Sequence, residues 1–142
     1  MRNHPNYRIA VEIVILHESK VLLTKRAEHV EVGPGEWCVP SGKVKYEEIP
    51  IEAMYREAME ETNLEVELIK ELDQRTFKGR STVEEIYRLV FTYLVKPKLD
   101  QIDRLAINDE HSEYVWVTKE ELNDSKFESL HPTLRRLLVE LH

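Results

Sequence analysis

REAMEETNL, residues 56–64, decides how this chain is read. It places Glu57, Glu60 and Glu61 within five residues, beside apolar side chains. On a 3.6-residue helix Glu57 and Glu61 are about 40° apart, and Glu60 lies about 60° to the other side of Glu57. All three carboxylates therefore share an arc of roughly 100°. Each close pair of like charges costs about 0.2–0.5 kcal/mol, which Arg56 offsets in part through its i,i+4 relation to Glu60. A Glu-rich helix is ordinarily a solvated face. Here Glu57 and Glu61 are expected to border the apolar face, and no Lys is interleaved among them. Clustered oxygen donors that leave room for water are what Mg²⁺ or Mn²⁺ requires. Helical geometry alone leaves both readings open.

The surrounding residues predict a helix over 50–62. Pro50 suits the first helical position, where its missing N–H costs nothing. Ile51, Met54, Tyr55, Ala58 and Met59 recur at the spacing of one buried helical face. Asn63 is a natural stop, because Asn tolerates the left-handed conformation better than most residues. Just upstream lies PSGKVKYEE (40–48). Gly42 is expected to permit a backbone path closed to other residues. Glu48 is expected to favour the positive N-terminal end of the helix.

Further out, RIAVEIVIL (8–16) alternates Ile9, Val11, Ile13 and Ile15 onto one face and reads as a strand. After the polar break HESK, VLLTKR (21–26) reads as the second arm of a hairpin. Gly33, Pro34 and Gly35 mark a loop, and WCVP (37–40) is a short extended piece. Residues 64–77 read as one strand or two, and 84–95 and 113–117 as further strands. TKEEL (118–122) predicts a short helix with Thr118 and Glu121 as a capping box. Pro132 to Leu141 predicts a closing helix with Leu134, Leu137, Leu138 and Leu141 on one stripe. Strands, helix, strands, helix imply a mixed sheet covered by helices, an α/β class.

The chain has 142 residues, 42% hydrophobic and 33% charged, which fits one domain over 1–142. Its net charge of −7 argues against a nucleic-acid duplex or an anionic membrane as partner. No run is apolar enough for a membrane span or a signal peptide. The single cysteine, Cys38, forms no internal disulfide and no Cys-rich zinc site. A cytoplasmic setting is the expectation.

From Gly42 the chain reads Gly, five residues, Glu48, seven residues, then Arg56-Glu57-Ala58-Met59-Glu60-Glu61-Thr62-Asn63-Leu64. This resembles the Nudix signature, Gly-x5-Glu-x7-Arg-Glu-U-x-Glu-Glu-x-Gly-U, with U apolar. Every charged position matches over 23 residues. Trp37-Cys38-Val39-Pro40 resembles the Trp-x-Leu-Pro that often leads into the box. Asn63 stands for the second Gly, Ser41 where many members have Gly, and Glu47 where many have Gly.

The resemblance implies an α/β/α sandwich with a mixed sheet and hydrolysis of the diphosphate linkage in nucleoside diphosphates joined to a group X. It implies Mg²⁺ or Mn²⁺ held by Glu57, Glu60 and Glu61, with the Ser41 carbonyl as an added ligand. Arg56 and Glu48 would orient these groups, and Glu57 or Glu60 would take the proton from water. An outside carboxylate or base would come from Glu110 or His111 in INDEHSEYVWV (107–117). A lone His is more often structural than catalytic. Lys25, Arg26 and Arg80 are candidates to meet phosphate, although exposed strand-end charges are as common. Trp37 reads as scaffold, and Cys38 as an inert thiol.

The substrate is less legible. Gly79 occupies the place where ADP-ribose pyrophosphatases often carry Pro, and Ser81 the place where dinucleoside polyphosphate hydrolases often carry Tyr. The chain most resembles MutT-like nucleoside triphosphate pyrophosphohydrolases. DEHSEYVW is similar to a segment of GDP-mannose hydrolases, which keeps nucleotide sugars as an alternative. A catalytically silent Nudix-fold binder would lack a box carboxylate, and none is lost. A prenyl-diphosphate isomerase on this fold would need a catalytic Cys. A small-molecule nucleotide is the implied partner, and a homodimer is left open.

Overall fold

The computed structural model describes residues 6–78 and 86–141. Arg80, the substrate marks at 79 and 81, and the start of the strand expected from 84 lie outside the described residues. Strands run over Asn6–His17 (β1), Lys20–Arg26 (β2), Trp37–Cys38 (β3), Ser41–Lys43 (β4), Val66–Lys78 (β5), Ile86–Pro97 (β6) and His111–Val117 (β7). Helices run over Pro50–Thr62 (α1) and Pro132–Val139 (α2). The spatial strand order is β3-β2-β1-β6-β5, with β4 beside β1 and β7 beside β2.

β1 organises the sheet. Its middle, residues 10–12, pairs antiparallel with β4, and its last two residues pair with β2. Along its other edge it runs parallel with β6 from Asn6↔Ile86 to Ile15↔Val95. The two-residue link to β2, Glu18-Ser19, holds both residues at positive φ (50° and 66°). That geometry matches the right-handed twist of the strands it joins.

Alternation along the strands builds two cores. Val11, Ile13 and Ile15 of β1 and Leu22 of β2 pack with Ala53, Met54 and Ala58 of α1. Val14 of β1 with Val21 and Leu23 of β2 packs with Trp37, Phe127, Leu134 and Leu138 on the other face. The sheet is thus covered on both faces, as an α/β/α sandwich. Trp37 is buried, edge-on to Phe127 at 5.1 Å, so its scaffold reading holds in position.

Several boundaries depart from the sequence reading. Residues 64–77 form one long strand from Val66, kept continuous with β6 by register shifts at Leu68/Lys70 and Glu71/Asp73. The capping box exists: the Thr118 N–H donates to Glu121 and the Glu121 N–H donates to Thr118 Oγ1. It opens a 3₁₀ turn, Glu120–Asn123, rather than an α-helix. α2 stops at Val139, two residues early. Arg135 explains the compact corner, donating to the carbonyls of Leu122 and Phe127 and tying two 3₁₀ turns to α2.

The buried face of α1 is also corrected. Tyr55 and Met59 are exposed, while Ala53, Met54, Ala58, Glu61 and Thr62 are buried. The buried arc is rotated by roughly 60° toward the glutamates. Small Ala53 and Ala58 let the helix lie close on β1 and β4, which turns its acidic side inward. Asn63 caps α1 in the left-handed region (φ 59°), with its N–H donating to Met59 O and its side chain donating to Arg104 O. Glu47 is left-handed too (φ 67°), where side chains other than Gly and Asn are strained. Urea unfolding should show Glu47→Gly gaining about 1 kcal/mol, and Asn63→Val losing about 1–3 kcal/mol.

Candidate active site

The site is built around Arg56. Its Nε and Nη2 donate to the two oxygens of Glu48, each at 2.8 Å. Nη1 donates to Glu57 at 2.7 Å and to Glu60 at 3.0 Å, and Nη2 also donates to the Lys43 carbonyl at 2.9 Å. One guanidinium therefore joins β4, the loop before the helix and two box glutamates. Its five fixed donors suit this fork-like role, which Lys could not fill. The hydrogen bond from Arg56, aided by the Lys45 N–H, pulls the Glu48 carboxyl down to about 2. The N-cap of α1 is Ile49, so Glu48 acts by bracing Arg56 rather than by capping the helix.

Gly42 is required for a different reason from the expected one. It is not among the residues with positive φ. A Cβ there would overlap the Glu57 carboxylate, so its bare Cα gives that side chain its place. Ser41, its neighbour in β4, pairs with Glu12 of β1 on the strand that α1 covers. Glu57 is half-buried, and burial pushes its carboxyl up against the pull of Arg56, with Glu60 and Glu110 adding repulsion.

Glu61 lies deepest, at 2% exposure. Burial, then the charges of Glu110 and Glu57, raise its carboxyl to about 7, while Asn108 and Arg26 oppose the shift. His111, the first residue of β7, is also buried, and burial with the nearby Arg26 charge lowers it to about 4. Its Nδ1 is 3.4 Å from Glu61 Oε2.

The structure thus brings Glu57, Glu60, Glu61, Arg56, Gly42, Glu48, Glu110, His111 and Arg26 to one place. It does not bring Lys25: alternation puts Lys25 with Val21 and Leu23, whose core lies on the face away from α1, and the register shift between Lys25 and Arg26 separates it from Arg26. Asn108 was not anticipated. Its only sequence signal was its place in the same acidic segment. Cys38 sits against Thr24, at 3.4 Å from its carbonyl, and burial pushes the thiol up, as suits an inert residue.

A scan against family models matches residues 6–140 to the NUDIX domain. The chain belongs to the NUDIX family. A nucleoside triphosphatase, NudI of Salmonella agona, is 32% identical over 117 residues, covering 77% of this chain and 80% of that protein. The MutT protein of Methanosarcina mazei is 28% identical with a TM-score of 0.74, covering 96% of this chain and 94% of its own. A MutT Nudix hydrolase of Burkholderia pseudomallei, 22% identical with a TM-score of 0.75, shares the fold, covering 96% and 99%. The chain is accordingly a Nudix hydrolase.

The donor set of this Nudix chain suits the divalent ion that such hydrolases generally use. Glu61 Oε2 is buried with no hydrogen-bond partner, beside a second inward carboxylate, and an oxygen-rich set of this kind fits Mg²⁺ or Mn²⁺. Among the described residues, no three His, Cys, Asp or Glu side chains converge closely enough to close a metal site. Arg56 holds one oxygen each of Glu57 and Glu60.

Two predictions follow from this geometry. Gly42→Ala should displace Glu57 and cut hydrolysis about 100-fold with the fold retained, checked by turnover and circular dichroism. The second concerns pH. The raised Glu61 makes the folded state hold an extra proton from about pH 4.5 to 7, so this group lowers stability as pH rises there. The lowered His111 makes the unfolded state hold the extra proton from about pH 4 to 6.5, so this group raises stability as pH rises. The two oppose each other. In EDTA, His111→Gln should therefore lose stability as pH rises from 5 to 6.5, and Glu61→Gln should gain it. Each slope should reach at most about 1.4 kcal/mol per pH unit, measured by denaturant titration.

Proposed function

We propose that this Nudix hydrolase is a Mg²⁺- or Mn²⁺-dependent nucleoside triphosphate pyrophosphohydrolase. The observation that carries the reading is Glu61, a buried carboxylate with an unpartnered oxygen, set beside Glu57 on one face of α1. The likeness to a protein named as a nucleoside triphosphatase supports the substrate class over a nucleotide sugar.

When bound, the divalent ion neutralises charge on the polyphosphate and orients it. Glu61 and Glu57 would hold that ion, with Glu60 and the Ser41 carbonyl as further oxygen donors. Arg56 fixes one oxygen each of the inward Glu57 and the exposed Glu60, and Glu48 keeps Arg56 in place. Glu57 would serve as the base: burial raises its proton affinity, which suits it to take the proton from the attacking water. Arg26, at the end of β2, offers a positive charge to the substrate phosphates. Glu110 is the carboxylate from outside the helix that faces the same centre, where its charge acts on Glu57 and Glu61. A small-molecule nucleotide is the partner in this reading, in a cytoplasmic setting where Cys38 stays a thiol.

The test is a panel of nucleoside triphosphates, NDP-sugars, ADP-ribose and dinucleotides with Mg²⁺ or Mn²⁺, scored for diphosphate, phosphate and nucleoside monophosphate. Triphosphates should turn over fastest, releasing diphosphate. Glu57→Gln should cost about 10²–10⁴-fold in kcat. Faster turnover of an NDP-sugar would overturn the substrate class. Full activity in both Glu57→Gln and Glu61→Gln would overturn the site.

A further inference from the structure

Two buried polar atoms face each other in this site with no partner of their own. Glu61 Oε2 and His111 Nδ1 lie 3.4 Å apart, and neither makes a hydrogen bond. Their residues are 2% and 8% exposed. They come from different elements, the last turn of α1 and the first residue of β7. Buried polar groups almost always find partners, so a facing pair of orphans needs a physical cause.

The placement is rigidly made. The Ala27 N–H donates to the Glu110 carbonyl at 2.9 Å, and the His111 N–H donates to the Asn108 carbonyl at 3.2 Å. β7 then pairs with β2 from Arg26↔His111 onward. The imidazole is therefore held at this depth by backbone on both sides.

The separation is informative. A charge-assisted hydrogen bond between a ring N–H and a carboxylate is ordinarily about 2.7–2.9 Å long. Two donors bound to one divalent ion at about 2.1 Å each are roughly 3.0–3.4 Å apart for bond angles near 90–110°. The observed 3.4 Å is longer than that hydrogen bond and lies at the upper end of the second range. We propose that His111 Nδ1 is a nitrogen ligand to the divalent ion that Glu61 helps to hold, and that it tilts the site from Mg²⁺ toward Mn²⁺ or Co²⁺. Mg²⁺ takes oxygen donors almost exclusively, whereas an imidazole nitrogen binds the later first-row ions more strongly. Glu57, one helical turn back on the same face, is a further carboxylate there, and water or substrate oxygens would complete the shell, since no three such side chains converge among the described residues. The proposal rests on the metal-dependent reading above and goes beyond it in ligand set and ion preference.

The experiment uses the whole protein, free of substrate and loaded with Mn²⁺. Pulsed electron paramagnetic resonance reads ¹⁴N coupling to the ion, and calorimetry reads Mn²⁺ and Mg²⁺ affinity. The wild-type protein should show ¹⁴N coupling. His111→Gln should lose it, with Mn²⁺ affinity falling about 10-fold and Mg²⁺ affinity changing less than about 2-fold. Bound Mn²⁺ without ¹⁴N coupling in the wild type, or coupling that survives in His111→Gln, overturns the ligand assignment and leaves the metal-dependent function standing. Absence of any Mn²⁺ or Mg²⁺ binding overturns both. The wild-type spectrum needs no variant, so a misfolded His111→Gln does not shield the proposal.

Discussion

The guanidinium of Arg56 is the constraint on which the site depends. It points along its own helix to Glu57 and Glu60, and across to Glu48 and the Lys43 carbonyl. Three carboxylates gathered on one side would repel one another, and burial would make the repulsion stronger. A single cation with five directed donors relieves that repulsion while fixing each oxygen it touches. It also fastens the loop 44–49 to the helix that follows, so the spacing between Gly42 and the acidic face is held by side-chain bonds. Replacing the arginine would loosen helix, loop and strand together.

Beneath that surface network lies a more costly arrangement. Glu61 is turned into the core side of α1, where burial favours its protonated form. A globular protein rarely buries a carboxylate oxygen without a hydrogen-bond partner, as Glu61 Oε2 is buried here. The small residues Ala53 and Ala58 permit the turn, since they bring the helix close enough for its acidic edge to become an interior edge. Stability is given up at Glu61 for a local concentration of negative potential, the usual pattern where charge is put to chemical use.

Much of this was legible in the sequence. Pro50 and Asn63 mark both ends of α1 correctly, because each is tied to a backbone conformation that few residues adopt. Gly42 was legible by spacing, but its reason was not. The need arises from contact with Glu57, fifteen residues on, which local backbone preference does not encode. The periodicity of Tyr55 and Met59 pointed to the wrong arc, while Ile51 does pack partly buried against the core, because apolar pattern ranks residues by hydrophobicity and α1 packs by size. The single long strand β5 was ambiguous because its alternation is broken by two register shifts. The 3₁₀ turns before α2 depend on Arg135, whose carbonyl partners are set by tertiary packing. The approach of His111 to Glu61 joins residues fifty positions apart, and nothing in either segment alone announces it.

The parallel ladder between β1 and β6 sets the order in which such a chain can assemble. Its partners, from Asn6↔Ile86 to Ile15↔Val95, are eighty residues apart. During synthesis the β1–β2 hairpin, β4 and α1 leave the ribosome well before β6 does. Until then the long edge of β1 has no partner, and its Val11, Ile13 and Ile15 lack the Tyr93 and Val95 that complete their core. Closing so distant a contact carries a large entropic cost that local contacts do not share. The slow event in forming this protein is thus the arrival of one strand at the middle of the sheet.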